Sequence, residues 1–327
     1  MPVSPTPSTS VSRPDLADSF MEFDMEMDRM GFITTQVLPI FEAPKASGTF
    51  GIVPIEQLLQ NRETGRAPGG AYSRGNFTFT ELSWLTKEHG AEEIVDDNAY
   101  ANYREFFDAE LIAAKRAYDA VLRNQEKRTA ALLFNATTWT GSSLTTAVST
   151  EWSTAASATP ITDVLAAGQK VWDGTGMWPN ALVINRRVFR NLRNCAQVID
   201  RIAGAGAGSA VKAKDISAEM LAQVFDLDYV IVAGSAKNTA VEGQTASLSQ
   251  VWDNEYAMVC KIATTNDIAE PCVGRTFHWS EDGSQPGGQI EQYREESHRG
   301  NVIRVRHQVQ EKVLYTEMGH LLSNITA

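Results

Sequence analysis

Alternating and continuous apolar positions predict strands in the second half of the chain. From residue 303 to residue 310 every second side chain is aliphatic or His307, and the others are arginine or glutamine. This pattern predicts a long strand with one apolar and one polar face. The run Ala181–Asn185 predicts another strand, and the apolar run Tyr229–Ala233 predicts a strand buried on both faces. Further strands are predicted at 255–262, 273–279 and 319–325.

The clearest helical pattern covers residues 98–134. Apolar side chains recur there every three or four positions, and the opposite face carries acid–base pairs four residues apart. Asp96 and Asp97 suit the start of the helix. As one continuous helix the segment would be about 55 Å long, and it would form a spine across an elongated or flat molecule. Its apolar face consists of Tyr103, Phe107, Leu111, Ala114, Tyr118 and Leu122.

Residues 135–160 are rich in alanine, serine and threonine, and this change in composition predicts the passage into a second domain. Beyond it, helices and strands alternate. Helices are predicted at 159–172, where Pro160 suits the first position, at 187–192, and at 217–225, where Ser217 suits the N-cap.

Two β-rich runs flank a polar loop within residues 47–96. The first run contains Pro54, which favours the edge of a sheet, and in the second Phe77 and Phe79 alternate with threonine. The pair would form a long hairpin-like extension, and a loop of this size suggests a binding or interlocking role. The loop carries Arg62, Arg66, Arg74 and the turn signal Pro68-Gly69-Gly70. A preceding run at 33–41, with Pro39, is also predicted to be an edge strand.

Composition and charge limit the classes of protein to which the chain can belong. The 327 residues correspond to about two folding units, and 43% hydrophobic with 21% charged residues is an ordinary globular balance. No apolar run approaches the roughly 18 residues of a membrane span. The net charge of −11 argues against a dedicated nucleic-acid reader. Three cysteines without CxxC spacing fit buried thiols: Cys195, Cys260 and Cys272.

The N-terminal residues do not have the basic and then apolar order of a secretory signal. Residues 1–14 are rich in serine, threonine and proline and are predicted to form an arm. Residues 20–30 carry Phe and Met at helical spacing among acidic residues, which predicts a short amphipathic helix that needs a partner surface.

Motifs for catalysis or cofactor binding are missing from the sequence. It contains no P-loop, GxSxG or HExxH motif, and the glycines at 204–208 lack nucleotide-loop spacing and are interpreted as a linker. Two groups could in principle collect a cation, but solvated charge is the preferred interpretation of both. They are Lys87, Glu88, His89, Glu92 and Glu93, and then Glu295, Glu296 and His298. His307 is predicted to be a hydrogen-bonded core residue, and no catalytic, cofactor or metal residue is predicted.

The order of these elements resembles the major capsid proteins of tailed bacteriophages, which share the Hong Kong 97-like fold. The resemblance covers about 47–325, and its clearest strings are PNALVINRRVFRN at 179–191, FDLDYVIVAGSAKN at 225–238 and YREESHRGNVIRVRHQVQ at 293–310. It implies an α+β fold. Its parts would be an N-terminal arm at 1–46, an extended E-loop at 47–96, a P-domain with the spine helix at 97–158, an inserted A-domain at 159–292 and P-domain return strands at 293–327.

The resemblance implies a structural protein without catalysis or cofactors. Pentamers and hexamers of the chain would close an icosahedral shell around double-stranded DNA, which is not read by sequence. Assembly in the host bacterial cytoplasm would involve a separate scaffolding protein and a portal protein, and the shell would localise to the virion. The presence of a decoration protein stays open. An encapsulin-type nanocompartment is the alternative within the fold, and an unrecognised α+β enzyme is the alternative outside it.

The same resemblance implies roles for specific residues. Because E-loops in such shells lie over a neighbouring subunit, Arg62, Arg66 and Arg74 are expected to pair with carboxylates there. Only about 46 residues precede the E-loop, so no large maturation cleavage is expected. Lys87 is the one lysine of the proposed extension and a candidate inter-subunit contact, but no partner for a covalent cross-link can be matched to it.

Overall fold

The computed structural model describes residues 11–12, 31–54, 57, 59–76, 78–103, 108–203, 216–241, 243–281 and 283–326. The predicted amphipathic helix at 20–30 and the glycine-rich linker at 204–208 lie outside the described residues. Helices and strands both contribute, as the α+β prediction requires.

The elements are numbered here in chain order. The strands are β1 (Val11–Ser12), β2 (Ile40–Ala43), β3 (Ser47–Ile52), β4 (Thr80–Leu85), β5 (Lys87–Asp96), β6 (Thr145–Ala147), β7 (Ala181–Asn185), β8 (Tyr229–Ala233), β9 (Ala236–Asn238), β10 (Leu248–Gln250), β11 (Ala257–Cys260), β12 (Gly274–Trp279), β13 (Gln289–Glu295), β14 (Gly300–Val313) and β15 (Gly319–Ser323). The helices are α1 (Thr34–Val37), α2 (Asp97–Tyr103), α3 (Ala109–Leu133), α4 (Pro160–Thr175), α5 (Arg186–Leu192), α6 (Ala196–Ala203) and α7 (Ala218–Phe225), with 3-10 turns at Glu296–His298 and Thr316–Met318.

A six-stranded sheet is built around the long strand β14, which the alternating pattern predicted. β5 pairs antiparallel with one side of β14, from Lys87 opposite Val309 to Asp96 opposite Gly300. β13 and β12 pair with successive parts of its other side. The order β1–β13–β14–β12–β2 puts β2 at an edge, in agreement with the edge position that Pro39 predicted for this run.

A five-stranded sheet in the order β6–β15–β11–β7–β8 forms the second layer of the molecule. The three inner strands β15, β11 and β7 are buried on both faces, so consecutive residues enter different cores. Leu321 packs in a core with the C-terminal half of α3, whereas Leu322 packs in a core with α4, α5 and α7. Two-sided burial explains the continuous apolar run of β7. The prediction of two-sided burial was wrong for β8, because this edge strand buries Ile231 and Ala233 on one face and leaves Tyr229 exposed.

The helices of the second layer agree with their sequence signals. Pro160 is the first residue of α4, and Gly176 ends it with a φ of 70°. Ser217 caps α7 by accepting a hydrogen bond from the Met220 N–H. Helix α6 and the β9–β10 hairpin were not predicted, because they are too short for their apolar spacing to be distinctive.

The predicted helix 98–134 is wrong in its continuity. Asp108 has an extended backbone, with φ −81° and ψ 103°, and its carboxylate accepts hydrogen bonds from the N–H groups of Glu110 and Leu111. It therefore caps a new helix, α3, whose 25 residues span about 38 Å. The predicted apolar face is confirmed within this shorter spine, because Ala114, Tyr118 and Leu122 pack against β13 and β14.

The run 33–41 was predicted as a strand, but Thr34–Val37 is a helical turn. The turn forms because the Glu126 carboxylate of α3 accepts hydrogen bonds from the N–H groups of Ile33 and Thr34, which only the folded structure brings together. Only Ile40–Ala43 joins the sheet.

Three whole elements lie in a different sheet from the rest of their predicted domain. β6 falls within the predicted P-domain segment 97–158 but belongs to the five-stranded sheet. β12 falls within the predicted A-domain at 159–292 but belongs to the six-stranded sheet. β15 falls within the predicted return segment 293–327 but lies between β6 and β11 in the five-stranded sheet. The two layers therefore share chain segments.

Candidate assembly surfaces

The extension is a short hairpin, β3 paired with β4, from which the loop at 53–79 projects. Its register runs from Ser47 opposite Leu85 to Ile52 opposite Thr80. Lys87–Asp96, which was predicted as part of the extension, pairs instead along β14 in the six-stranded sheet.

An aromatic cluster fixes the base of this hairpin to the six-stranded sheet. The Trp84 ring stacks on Phe277 of β12, with centroids 5.7 Å apart and planes inclined by 6°, and Phe50 lies 5.8 Å from both rings. Gly48 makes the stack possible, because an added Cβ would lie 2.3 Å from Trp84 Cζ2. The hairpin is thereby attached to a buried core residue.

Hydrogen bonds hold the same base. The Leu85 N–H donates to Gln310 Oε1 over 2.7 Å, and Lys312 Nζ donates to the Ser83 carbonyl. Thr86 donates to the Ala46 carbonyl from both its N–H and its hydroxyl, over 2.8 and 2.9 Å. These contacts set the direction in which the loop leaves the sheet.

The three predicted arginines all lie on the exposed loop of the extension. Arg66 Nε donates to the Gly70 carbonyl, and its guanidinium lies 4.7 Å from the centre of the Tyr72 ring. The Arg62 guanidinium lies directly against Gly75. Arg74 is exposed. Glu63 is the single acidic residue between 59 and 76, so this loop is basic on an acidic chain.

Lys87 lies apart from the three arginines of the loop. It lies on β5, exposed and opposite Val309, on a different element from the loop. The structure therefore groups the four predicted contacts as three loop residues and one sheet residue.

A second exposed surface is apolar and surrounds the end of α4. Leu165, Trp172, Met177 and Trp178 are each between 36 and 47% exposed. The Trp178 ring covers Gly168, and Leu59 of the extension loop lies against Gly176. Monomeric proteins rarely leave two neighbouring tryptophans this open, so the surface suits contact with another chain.

Glu126, in the middle of α3, is the main polar link between the spine and the N-terminal part of the chain. Its carboxylate accepts hydrogen bonds from Ile33 N–H, Thr34 N–H, the Thr34 hydroxyl and Trp252 Nε1. Burial raises the pKa of the carboxyl, and these four donors oppose that effect. Sequence reasoning missed Glu126 because its partners are about 90 or more residues away along the chain.

His307 is a fully buried, hydrogen-bonded residue, as predicted, with Nδ1 3.2 Å from the Pro286 carbonyl oxygen. Its cross-strand neighbour on β5 is His89, whose ring centre lies 5.9 Å away. His89 was interpreted as solvated charge, and this was wrong, because pairing with β14 half-buries it. Burial lowers the pKa of His307 to about 4 and also lowers that of His89.

Charged side chains form a ladder across the polar face of the six-stranded sheet. Glu291 of β13 accepts hydrogen bonds from both Arg304 and Arg306 of β14. The same arginines lie 3.8 Å from Glu92 and Glu88 of β5, respectively. Burial raises the pKa of the Glu291 carboxyl, but hydrogen bonds from Arg306 and Arg304 outweigh this effect and hold that pKa below its usual value.

The residues that the structure describes contain no group of three or more His, Cys, Asp or Glu side chains that could hold a metal ion. Glu295 Oε1 lies 2.9 Å from His298 Nδ1 at the surface. The prediction of buried thiols is confirmed, and burial raises the pKa of Cys195 to about 11 and that of Cys260 to about 12, which suppresses the nucleophilic thiolate. Among the described helices none is long and apolar enough to cross a membrane.

Comparison with solved structures gives the fold. A phage-related protein from Bordetella bronchiseptica RB50 superposes with a TM-score of 0.66 at 16% identity, over 97% of this chain and 99% of that one. The capsid protein of cyanophage P-SCSP1u gives 0.57 at 12% identity, over 88% of this chain and 86% of that one. The chain has the Hong Kong 97-like fold of phage capsid proteins.

The sequence comparison identifies a relative of the chain among phage proteins. The chain is 24% identical over 256 residues to the major capsid protein of Pseudomonas phage JBD67, which covers 77% of this chain and 78% of the relative. No family model matches the chain. The predicted resemblance to phage major capsid proteins is thus confirmed in sequence and in fold.

Proposed function

We propose that the chain is the major shell protein of a tailed phage and that its role is structural rather than enzymatic. The observation that carries this proposal is the coincidence of two likenesses: the capsid fold extends over nearly the whole chain, and the sequence relative over three quarters of it is a major capsid protein. Self-association into a shell follows from that class of protein.

The finer parts of the proposal concern the assembled particle. Pentamers and hexamers close an icosahedral shell around double-stranded DNA, with a separate scaffolding protein and a portal protein as assembly partners. Closed symmetry repeats each interface, so modest contacts add up over many copies. Assembly takes place in the cytoplasm of the bacterial host, and the mature protein resides in the virion capsid.

Three features of the surface support assembly. The base of the extension packs on the six-stranded sheet and its loop is exposed and basic, the end of α4 exposes two tryptophans, and the whole chain has a net charge of −11. We propose that the loop at 59–76 and Lys87 contact neighbouring subunits. For the domain division, we propose that β12 belongs with the spine-helix layer and that β6 and β15 belong with the inserted layer, and we keep the other predicted boundaries.

Electron microscopy of the protein, expressed with and without its neighbouring genes, tests the proposal. Closed shells several hundred ångströms across that contain DNA after infection are expected. Shells that enclose an enzyme instead of DNA would favour the encapsulin-type alternative. Monomers under all conditions, combined with turnover of a small molecule, would favour an enzyme.

A charge reversal tests the proposed role of the extension loop. Arg66→Glu should lower the yield of closed shells several-fold and leave the thermal unfolding of the subunit unchanged, because Arg66 contacts only its own exposed loop. Shell yield is measured by sedimentation, with Lys127→Glu on the exposed side of α3 as the matched control. A normal yield for Arg66→Glu would contradict the role.

A further inference from the structure

A cluster of arginines on α5 is not explained by the packing of the subunit. Arg186, Arg187, Arg190 and Arg193 fall within eight consecutive residues of a chain whose net charge is −11. Arg186, Arg190 and Arg193 are spaced by four and three positions, so they form one stripe along the helix. The opposite side of α5 is buried through Val188 and Leu192.

Three of the four arginines carry their charge at the surface. Arg186, Arg187 and Arg190 are exposed, and no carboxylate in the described part of the chain forms an ion pair with them. Arg193 lies over the Phe189 ring, 5.3 Å from its centre. Arg186 and Arg190 are like charges four positions apart on one helix face, which destabilises the helix, and an anionic ligand would relieve this repulsion.

A groove of about 700 Å³ opens beside the stripe, between α5 and the β9–β10 hairpin. Its polar walls carry the side chains of Arg187, Lys237, Ser249, Gln250 and Asn254. The Ser249 hydroxyl is shielded from solvent and has no hydrogen-bond partner among the described residues. The acidic residue of the groove, Asp253, uses its Oδ1 to accept a hydrogen bond from the Glu255 N–H.

The side chain of Asn185 connects the start of α5 to the groove by hydrogen bonds. Asn185, fully buried at the start of α5, accepts a hydrogen bond from the Val188 N–H and so caps the helix. Its amide donates to Asn254 Oδ1 over 2.5 Å and to the Trp252 carbonyl over 3.1 Å. The cations of α5 and the amide and hydroxyl groups of the groove therefore keep a fixed relative position.

We propose that the exposed arginines of α5, Arg186, Arg187 and Arg190, and the adjoining groove bind the phosphate backbone of nucleic acid without reading its sequence. Arginine, lysine, serine, asparagine and glutamine side chains are the usual donors to phosphate oxygens. The groove lining contains no aromatic residue, and its larger apolar residues are Leu248 and Val251. Protein–protein interfaces usually have an apolar, aromatic core, so this lining favours a polyanion over a second copy of the chain.

The inference deepens the proposed function, because it names residues through which the shell protein would contact DNA, and to that extent it rests on that function. The binding itself is a property of the subunit. It can therefore be measured on unassembled protein, independently of whether shells form.

The test measures binding of the full chain to a fluorescent double-stranded DNA by anisotropy at several salt concentrations. The triple variant Arg186→Gln, Arg187→Gln, Arg190→Gln should bind at least about tenfold more weakly at about 100 mM salt, and its salt slope should fall by about 3 because three phosphate contacts are lost. The matched control Arg62→Gln, Arg66→Gln, Arg74→Gln removes the same charge from the extension loop. It should change affinity by less than about threefold.

Two further variants keep the test decisive if the triple variant is unstable. Replacing the same three arginines by lysine keeps the charge and should retain affinity within about threefold. The pair Arg187→Gln and Lys237→Gln changes two groove residues, leaves Arg186 and Arg190 intact and should still weaken binding. Unfolding curves establish that each variant is folded.

Equal losses in the α5 and loop triples would overturn the proposal, because only net charge would then matter. Undiminished DNA binding by the α5 triple would also overturn it, and a simultaneous loss of shells would identify the stripe as an interface between copies. If wild-type protein binds DNA through α5 but never forms shells, the proposed function fails while the groove assignment stands.

Discussion

At the scale of single residues, this protein buries several charged or titratable groups and surrounds each with partners from distant parts of the chain. Glu126 is held by Ile33, Thr34 and Trp252, and Arg275, fully buried on β12, donates to the carbonyls of Thr265 and Asp267. An unpaired buried charge costs several kcal/mol, so such groups connect segments that apolar packing alone would leave less well defined.

Glu126 is expected to be the most sensitive of these positions. Glu126→Ala leaves Ile33 N–H, Thr34 N–H and Trp252 Nε1 buried without acceptors, so the free energy of unfolding should fall by about 3–5 kcal/mol. Urea unfolding followed by tryptophan fluorescence measures the loss. Lys127→Ala, exposed on the same helix, should change it by less than about 0.5 kcal/mol. Similar values for the two variants would contradict the role of Glu126.

His307 should make the fold sensitive to acid. Its pKa is about 4 in the folded protein against 6.5 for the free side chain, so the unfolded chain binds a proton first as the pH falls. Stability contributed by the neutral residue is complete above pH 6.5 and is lost between about pH 6.5 and 4, up to about 3 kcal/mol.

Unfolding measured from pH 7 to pH 4 tests this expectation. His307→Gln should flatten the slope of stability against pH whatever its effect at pH 7. Burial also lowers the pKa values of His89 and His320, so these two residues should contribute to the dependence of stability on pH that remains in His307→Gln. An unchanged slope in His307→Gln would exclude it as the source.

At the scale of elements, the extension shows how local packing sets the position of a long exposed loop. The hairpin has only six paired positions per strand, and a two-stranded ribbon is marginally stable by itself. The aromatic stack on Phe277 supplies the missing stability and makes the hairpin part of the six-stranded sheet's core.

Gly48→Ala tests this attachment. The added methyl group would lie 2.3 Å from the Trp84 ring, so the ring must leave its stack, and the expected cost is about 1–3 kcal/mol. A change in tryptophan emission and a lower yield of shells should accompany the loss. Gly65→Ala, at a loop position where a Cβ meets nothing within 4 Å, is the matched control. Equal behaviour of the two variants would mean that the stack does not set the loop's position.

At the scale of the whole molecule, the spine helix α3 packs against both layers, and β15 connects the two cores of the five-stranded sheet. The spine α3 packs against β13 and β14 through its first half and against the five-stranded sheet through its second half. Strand β15 places Leu321 in one core of the five-stranded sheet and Leu322 in the other. The two layers should therefore unfold together.

Paired truncations of β15 test this coupling. Leu321→Ala and Leu322→Ala should each lower the free energy of unfolding by about 2–5 kcal/mol, and each should shift one single transition. Calorimetry and circular dichroism follow the transition, with Ser323→Ala at the end of the same strand as the control. Two separate transitions, with only one moved by each variant, would show independent layers.

The sequence by itself determined the elements whose signals are local. Alternation specified β14, continuous apolar runs specified β7 and β8, and Pro160 and Ser217 marked helix starts that the structure reproduces. The order of these elements was also sufficient for the resemblance to phage capsid proteins, because the fold is carried by a long succession of such local signals. Each of these features depends on neighbours within a few residues.

Only the tertiary structure decided the features that depend on distant partners. Asp108 caps a new helix and so divides the predicted spine. Hydrogen bonds to Glu126 form α1 in a run that was predicted as a strand. Pairing with β14 places Lys87 and His89 in the six-stranded sheet and not in the extension. The arginines of α5 became a candidate site only when the fold placed the β9–β10 groove beside them. The physical reason is that burial and hydrogen bonding are set by residues far apart along the chain, whose proximity no local pattern encodes.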